Sequence, residues 1–240
     1  MNNSKKDASL IEQFKQALTS TEKVISGNFK PSSEIDKNKY ANKLNKFELE
    51  NLNNKNDFIK ARAEADSAAL KKKFSNDGIY KKNLPHNSNY KSLYALAEKI
   101  RYETLGGKML KGVEKNFKEN YNQIINLKRK DQLKTKEDVP VTEAFELYML
   151  KKFHGIKLNA LTDNMLHFWE KDFDQAIEKH MQYLKENLEF QNKYSSKFSE
   201  ILQEMEIFQS EDNDETKEEN QEDGKNNPSN DDQKNDSEDK

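Results

Sequence analysis

Residues 97–117 read AEKIRYETLGGKMLKGVEKNF: a helical pattern, a Gly-Gly pair and a second helical pattern. This stretch decides the fold, because apolar residues recur at helical spacing on both sides of Gly106-Gly107. The spacing predicts one helix over about residues 89–105 and another over about 108–127. A glycine just past a helix takes the left-handed conformation at little steric cost, so the pair is read as a helix stop. Gly107 and Gly112 also stand at the glycine spacing of a phosphate-binding loop. That loop needs Lys and Ser/Thr directly after its second glycine, and Val113 and Glu114 stand there instead. Nucleotide binding at this loop is excluded.

On a wheel at 100° per residue, Leu93, Leu96, Ala97, Ile100 and Thr104 share a face of the first helix, widened by Tyr90, Tyr94 and Leu105. Arg101 falls inside that apolar arc. An unpaired buried guanidinium is too unfavourable to keep, so Arg101 requires a carboxylate, backbone carbonyls or a partner's interface. Glu98 and Glu103 project toward the solvent side of the wheel.

The pattern continues in both directions. Leu10, Ile11, Phe14, Leu18 and Ile25 recur at helical spacing, and Gly27 and Pro31 end that first helix. Residues 28–56 are rich in Asn, Lys and Ser, with an alternating run near residues 46–52 that predicts a small β element within 28–52. Asp57 is the expected cap of a second helix carrying Phe58, Ile59, Ala65, Ala69, Leu70 and Phe74. Residues 76–85, opening with Asn-Asp-Gly, read as a loop. Thr142 and Glu143 open a fifth helix that ends at Gly155. A long helix is then expected over about 163–208, in which Ile177, Met181, Leu184, Leu188, Gln191, Ser195, Phe198, Leu202 and Met205 keep a 4-3 register. Such a seam packs either on the chain's own helices or on a partner helix. Its polar members Gln191 and Ser195 mark a kink. The predicted architecture is all-α: a bundle-like helical domain over 1–208 with one long C-terminal helix.

Charge separates this body from the tail. Residues 209–240 hold no aliphatic or aromatic side chain and carry 13 of the chain's 43 acids but only 4 of its 41 bases. That leaves 30 acids and 37 bases on residues 1–208. A segment without apolar surface cannot offset the entropy of ordering it, so 209–240 is expected to be a disordered acidic linker or tail. The chain has no cysteine, which removes disulfides, thiolate metal sites and cysteine nucleophiles. The N-terminus lacks the apolar run of a signal peptide, and no apolar stretch is long enough to span a bilayer. A cytoplasmic protein is expected.

The four histidines, His86, His154, His167 and His180, form neither His-x-x-x-His nor a pair of Glu-x-x-His motifs. Asp163 and His167 share a helix face but lack a third ligand, so they are read as a helix cap and a surface residue. No Gly-x-Ser-x-Gly or Ser-His-Asp order points to a nucleophile. The Lys-Arg-Lys run at 128–130 is accounted for by a helix C-terminus. Trp169, between Phe168 and Phe173, is read as a core anchor. The residues therefore offer no catalytic, cofactor or metal constellation.

Three stretches nevertheless resemble the T subunit of aerobic cobaltochelatase, in the same order as in that family. They are residues 11–27 (IEQFKQALTSTEKVISG), the pair formed by 62–77 (RAEADSAALKKKFSND) and 97–117, and residues 139–172 with Phe168-Trp169. The middle block is the most specific: Arg62-x-x-Ala-Asp-x-x-Ala-Leu, Glu98-x-x-Arg-x-Glu-x-x-Gly, and Met109 ahead of Gly112-Val113 and Asn116. Where the family has a histidine-rich patch after Ala-Leu, this chain has Phe74-Ser75-Asn76. The resemblance implies a non-catalytic subunit of the ATP-dependent complex that inserts cobalt into the corrin ring. ATP with Mg²⁺ is then handled by the S (ATPase) subunit, cobalt and tetrapyrrole by the large N subunit, and no cofactor by this chain. It also implies a hetero-oligomer, with Arg101, Glu98, Glu103, Met109 and Asn116 as the partner-binding candidates. The family joins its helical region through an acidic stretch to a C-terminal von Willebrand A-type domain, so a fragment, split gene or short form is expected. The rival readings are a basic helical nucleic-acid-binding protein autoinhibited by its acidic tail, and an unrelated helical scaffold.

Overall fold

In a computed structural model the described residues are 2–27, 54–127, 135–205 and 207. The chain divides after Met205. The body up to that point is helical, and no strand occurs among its described residues. The β element expected within 28–52, the basic run at 128–130 and the acidic tail at 209–240 lie outside them.

Helix α1 (Asn2–Ser26) ends where Gly27 adopts φ +70°, as the sequence predicts. Helix α2 (Lys55–Phe74) opens one turn earlier than expected. Asn54, not Asp57, is its cap: the Asn54 side chain accepts from the backbone of Asn56 and Asp57, and the Asp57 carboxylate accepts in return from the Asn54 N–H. The region read as a loop holds a short helix α3 (Asp77–Lys82), because the Asn76 side chain satisfies the amide of Ile79.

Helix α4 (Ser88–Met109) runs straight through Gly106-Gly107, so the glycine stop is overturned. The chain turns only at Leu110, whose N–H donates to the Gly106 carbonyl, before α5 (Lys111–Leu127) begins. The glycines serve packing instead. A Cβ on Gly106 would stand 2.2 Å from a methyl of Leu70 on α2, so only glycine lets the two helices approach this closely.

Around α4 stand α2, α5, α9 (Gln191–Glu204), α6 (Val141–Met149) and the π-turn that extends α6 from Leu150 to His154. Gly155 closes that turn at φ +62°. Enclosed in this way, α4 buries every residue from Ile100 to Gly107. Glu98 and Glu103, placed on the solvent side by the wheel, are therefore inside the protein. The wheel assumes one wet face, and this central helix has none between Ile100 and Gly107.

The long C-terminal helix is replaced by three helical pieces. Helix α7 (Ala160–Ile177) is capped by Asn159 rather than by Asp163, which lies exposed in the first turn, with His167 exposed one turn later. A 3₁₀ turn (Glu178–His180), α8 (Met181–Glu186) and a corner before Phe190 separate it from α9. The 4-3 register survives these breaks because each piece turns its seam toward the same core: all nine seam residues from Ile177 to Met205 are buried. The seam packs on the chain's own helices. Trp169 sits at the rim rather than in the core, half-buried, with its indole N–H on the Val139 carbonyl and Lys136 Nζ 4.2 Å from its ring centre.

Candidate protein-interaction site

Two buried polar clusters on opposite sides of α4 absorb most of the candidate residues. Toward α9, the Arg101 guanidinium has no exposed surface and finds all its partners within the chain. Its Nε donates to Glu98 at 3.2 Å, Nη1 to the Leu188 carbonyl at 3.0 Å, and Nη2 to the Phe74 carbonyl at 2.7 Å and Ser75 Oγ at 3.2 Å. Of the environments the sequence required for Arg101, the fold supplies the carboxylate and the carbonyls.

Glu98 in turn accepts from Ser195 Oγ at 2.6 Å and Gln191 Nε2 at 3.2 Å. The Gln191 side-chain oxygen accepts the Asn76 N–H at 2.7 Å. One ion pair thus joins the end of α2, the cap of α3, the middle of α4 and the start of α9. The two polar seam residues expected to mark a kink do lie beside one, since the chain breaks just before Gln191, and they are also the ligands of Glu98. Their signal was in the sequence: Gln191 and Ser195 lie four apart on an apolar face, as Arg101 lies within the apolar arc of α4.

Toward α2 and α5, Glu103 accepts from Ser67 Oγ at 2.6 Å and from the Tyr121 hydroxyl. Burial pushes the Glu103 carboxyl above the usual range and the Tyr121 phenol well above its own. Asp66 accepts from Asn116 Nδ2 at 2.7 Å, and burial raises its carboxyl too, with Asn116 and Arg62 pulling the other way. Beside Tyr121 lies His154, its ring centre 5.7 Å away, with a buried Nε2 that has no hydrogen-bond partner. Burial, with Lys118 and Lys99 adding repulsion, pushes this imidazole down to about 4. In the sequence Asp66 stands out only within the Arg62-x-x-Ala-Asp motif and His154 has no role, although a wheel places each on an apolar face: Asp66 among Ile59, Ala69 and Leu70, and His154 four and seven positions after Leu150 and Leu147.

The middle motif is therefore a set of mutual contacts: Asp66 with Asn116, Glu98 with Arg101, Glu103 with Ser67, Gly106 with Leu70. Of the five candidates, only Met109 is open to solvent, at 43% exposure, and Asn116 is half-buried. Leu110 follows Met109 at 37% exposure, with the exposed Lys108 and Lys111 on either side. This apolar corner with a basic rim lies where α4 hands over to α5. Among the described residues no three His, Asp or Glu side chains stand together to hold a metal ion, and no helix is long and apolar enough to cross a membrane.

The family model described as cobalamin biosynthesis protein CobT matches residues 8–240. Neither a search of curated proteins nor a search of solved structures gave a match.

Proposed function

This chain belongs to the CobT family of cobalamin biosynthesis proteins, and from that premise we propose that its helical body is a non-catalytic part of the ATP-dependent cobaltochelatase, working through contacts with the ATPase subunit. A role in cobalamin biosynthesis follows from the family itself. The observation that carries the finer reading is the use of the charged motif: Glu98, Arg101 and Glu103 are spent on holding α4 in place, which leaves the α4–α5 corner, Met109-Leu110, to meet a partner. Exposed Met beside flexible Lys side chains suits a protein surface, since Met adapts its shape to what it meets and is favoured in interfaces.

In this reading ATP with Mg²⁺ belongs to the S subunit, cobalt and tetrapyrrole to the large N subunit, and this chain binds none of them. The test is co-purification of the full chain with the S subunit at low salt, followed by cobalt insertion with S and N present. The chain should be retained by S and be required for insertion. Replacing Met109 and Leu110 by Ser should weaken retention about tenfold or more, as loss of an interface anchor does, while leaving the melting temperature unchanged. Failure of the unmodified chain to bind S, or insertion at the same rate without it, overturns the proposal.

A further inference from the structure

Gly106 and Gly107 each have a neighbour that keeps them bare: a Cβ on the first would strike Leu70, and on the second it would stand 3.3 Å from Glu114 Cβ. Gly112 has none. It lies exposed in the first turn of α5, and a Cβ built there meets nothing within 4 Å. Its backbone does not call for glycine either, since the positive-φ glycines are Gly27 and Gly155. Glycine is the least favourable helix residue after proline, so the body gains nothing from it at this position. A bare Cα on an exposed helix suits a close approach from outside the chain, where a side chain would keep another backbone away. The surroundings of Gly112 give that neighbour its character. Met109 and Leu110, at 43% and 37% exposure, precede it. Residues 108–119 hold four lysines and two glutamates. Both glutamates are taken: Glu114 by Lys111 at 3.0 Å and Lys118 at 2.8 Å, and Glu119 by Lys115 at 3.7 Å. Lys108 has no acidic partner among the described residues. One turn further along the same side of α5, Asn116 meets Asp66 of α2, so the open step ends there.

We propose that Gly112 is a specificity-determining contact of this corner: the ATPase subunit lays an apolar segment flanked by a carboxylate across the bare Gly112 backbone. The inference rests on the corner being the surface that meets that subunit, and adds which residue sets the fit and what chemistry the partner presents. Each part of the occupant answers a feature of the corner. Its apolar part covers Met109 and Leu110, which otherwise face water. Its carboxylate answers Lys108 and the excess of two positive charges over residues 108–119. Its backbone comes close where α5 has no side chain to hold it off. A second copy of this corner fits less well, because it would set lysines against lysines. The fold and the contact therefore ask different things of position 112: the helix prefers alanine, and the partner requires glycine.

The test measures the affinity of full-chain variants for the S subunit, with the melting temperature of each variant alongside. Gly112→Ala should melt at or above the native temperature and yet bind S about tenfold more weakly, as an added methyl in a close contact does. Gly112→Gln should keep the fold and bind more weakly still. Lys108→Glu should weaken binding most at low salt, where the attraction it reverses is least screened. Native affinity in both Gly112 variants, with binding lost on replacing Met109 and Leu110 by Ser, overturns this inference and leaves the corner as the contact surface. Lower melting temperatures in both Gly112 variants overturn it too, since the glycine would then serve the fold. Lys108→Glu binding like the native chain at low salt overturns the carboxylate. Failure of the unmodified chain to bind S overturns this inference together with the reading it rests on.

Discussion

Arg101 and Glu98 show how one buried pair can tie four segments together and still add little net stability of its own. Taking both charges out of water roughly cancels their attraction, whereas removing one partner leaves the other buried and uncompensated. Arg101→Met should therefore destabilise the body by about 3–5 kcal/mol, by chemical denaturation. Adding Glu98→Gln to that variant should recover part of the loss. A variant that melts like the native protein but loses its partner would instead make Arg101 an interface anchor. His154 supplies a pH-dependent test. Its folded pKa lies near 4, below the ordinary 6.5, so between those values the unfolded chain binds the extra proton. Stability from the neutral imidazole is thus intact above pH 6.5 and is lost as the pH falls toward 4. Comparing native protein with His154→Leu isolates this group from Glu103 and Asp66, whose raised values act in the opposite direction. The gap in unfolding free energy should shift by up to about 3 kcal/mol in favour of the variant between pH 7 and pH 4. An unchanged gap would show that His154 titrates normally.

At the scale of the element, the three glycines near the α4–α5 corner separate close packing from conformational freedom. Gly106→Ala forces a methyl onto Leu70 and should destabilise by about 1–3 kcal/mol, with rescue by Leu70→Ala limited by the cavity that change leaves. Gly112→Ala, in helical backbone with nothing within 4 Å of the added carbon, should stabilise by about 0.5–1 kcal/mol. Thermal or denaturant melts of the two variants should move in opposite directions. If both destabilise equally, the close approach of α2 and α4 is not what requires Gly106. The sequence showed two adjacent glycines between helical patterns and suggested a stop. Which of the two uses a glycine serves depends on whether another helix lies against it, and Leu70 is 36 positions away. The same limit hid the break at Glu178–His180, since a seam kept in register reads as one helix although each piece can turn its own part inward, whereas the polar pair Gln191 and Ser195 did flag the break before α9.

For the molecule as a whole, the acidic segment offers the simplest prediction. Residues 209–240 carry no apolar side chain, so a chain ending after residue 208 should melt within about 1–2 °C of the full chain, because almost no hydrophobic burial is lost. A drop of several degrees would mean that the body depends on the tail. By itself the sequence determined the all-α class, the ends of α1 and of the α6 π-turn at Gly27 and Gly155, and the family, through motifs that lie in continuous stretches. These are local properties: periodicity, glycine conformation and residue order are carried within a few turns of chain. It also required partners for Arg101, because burying a bare guanidinium is forbidden wherever it happens. Only the tertiary structure decided who those partners are and that Glu98 and Glu103 are buried with it. It likewise decided that the C-terminal seam turns inward. Burial is set by what arrives from elsewhere in the chain, and α4 is enclosed by helices up to about 100 positions away, which no helical wheel drawn on its own residues can contain.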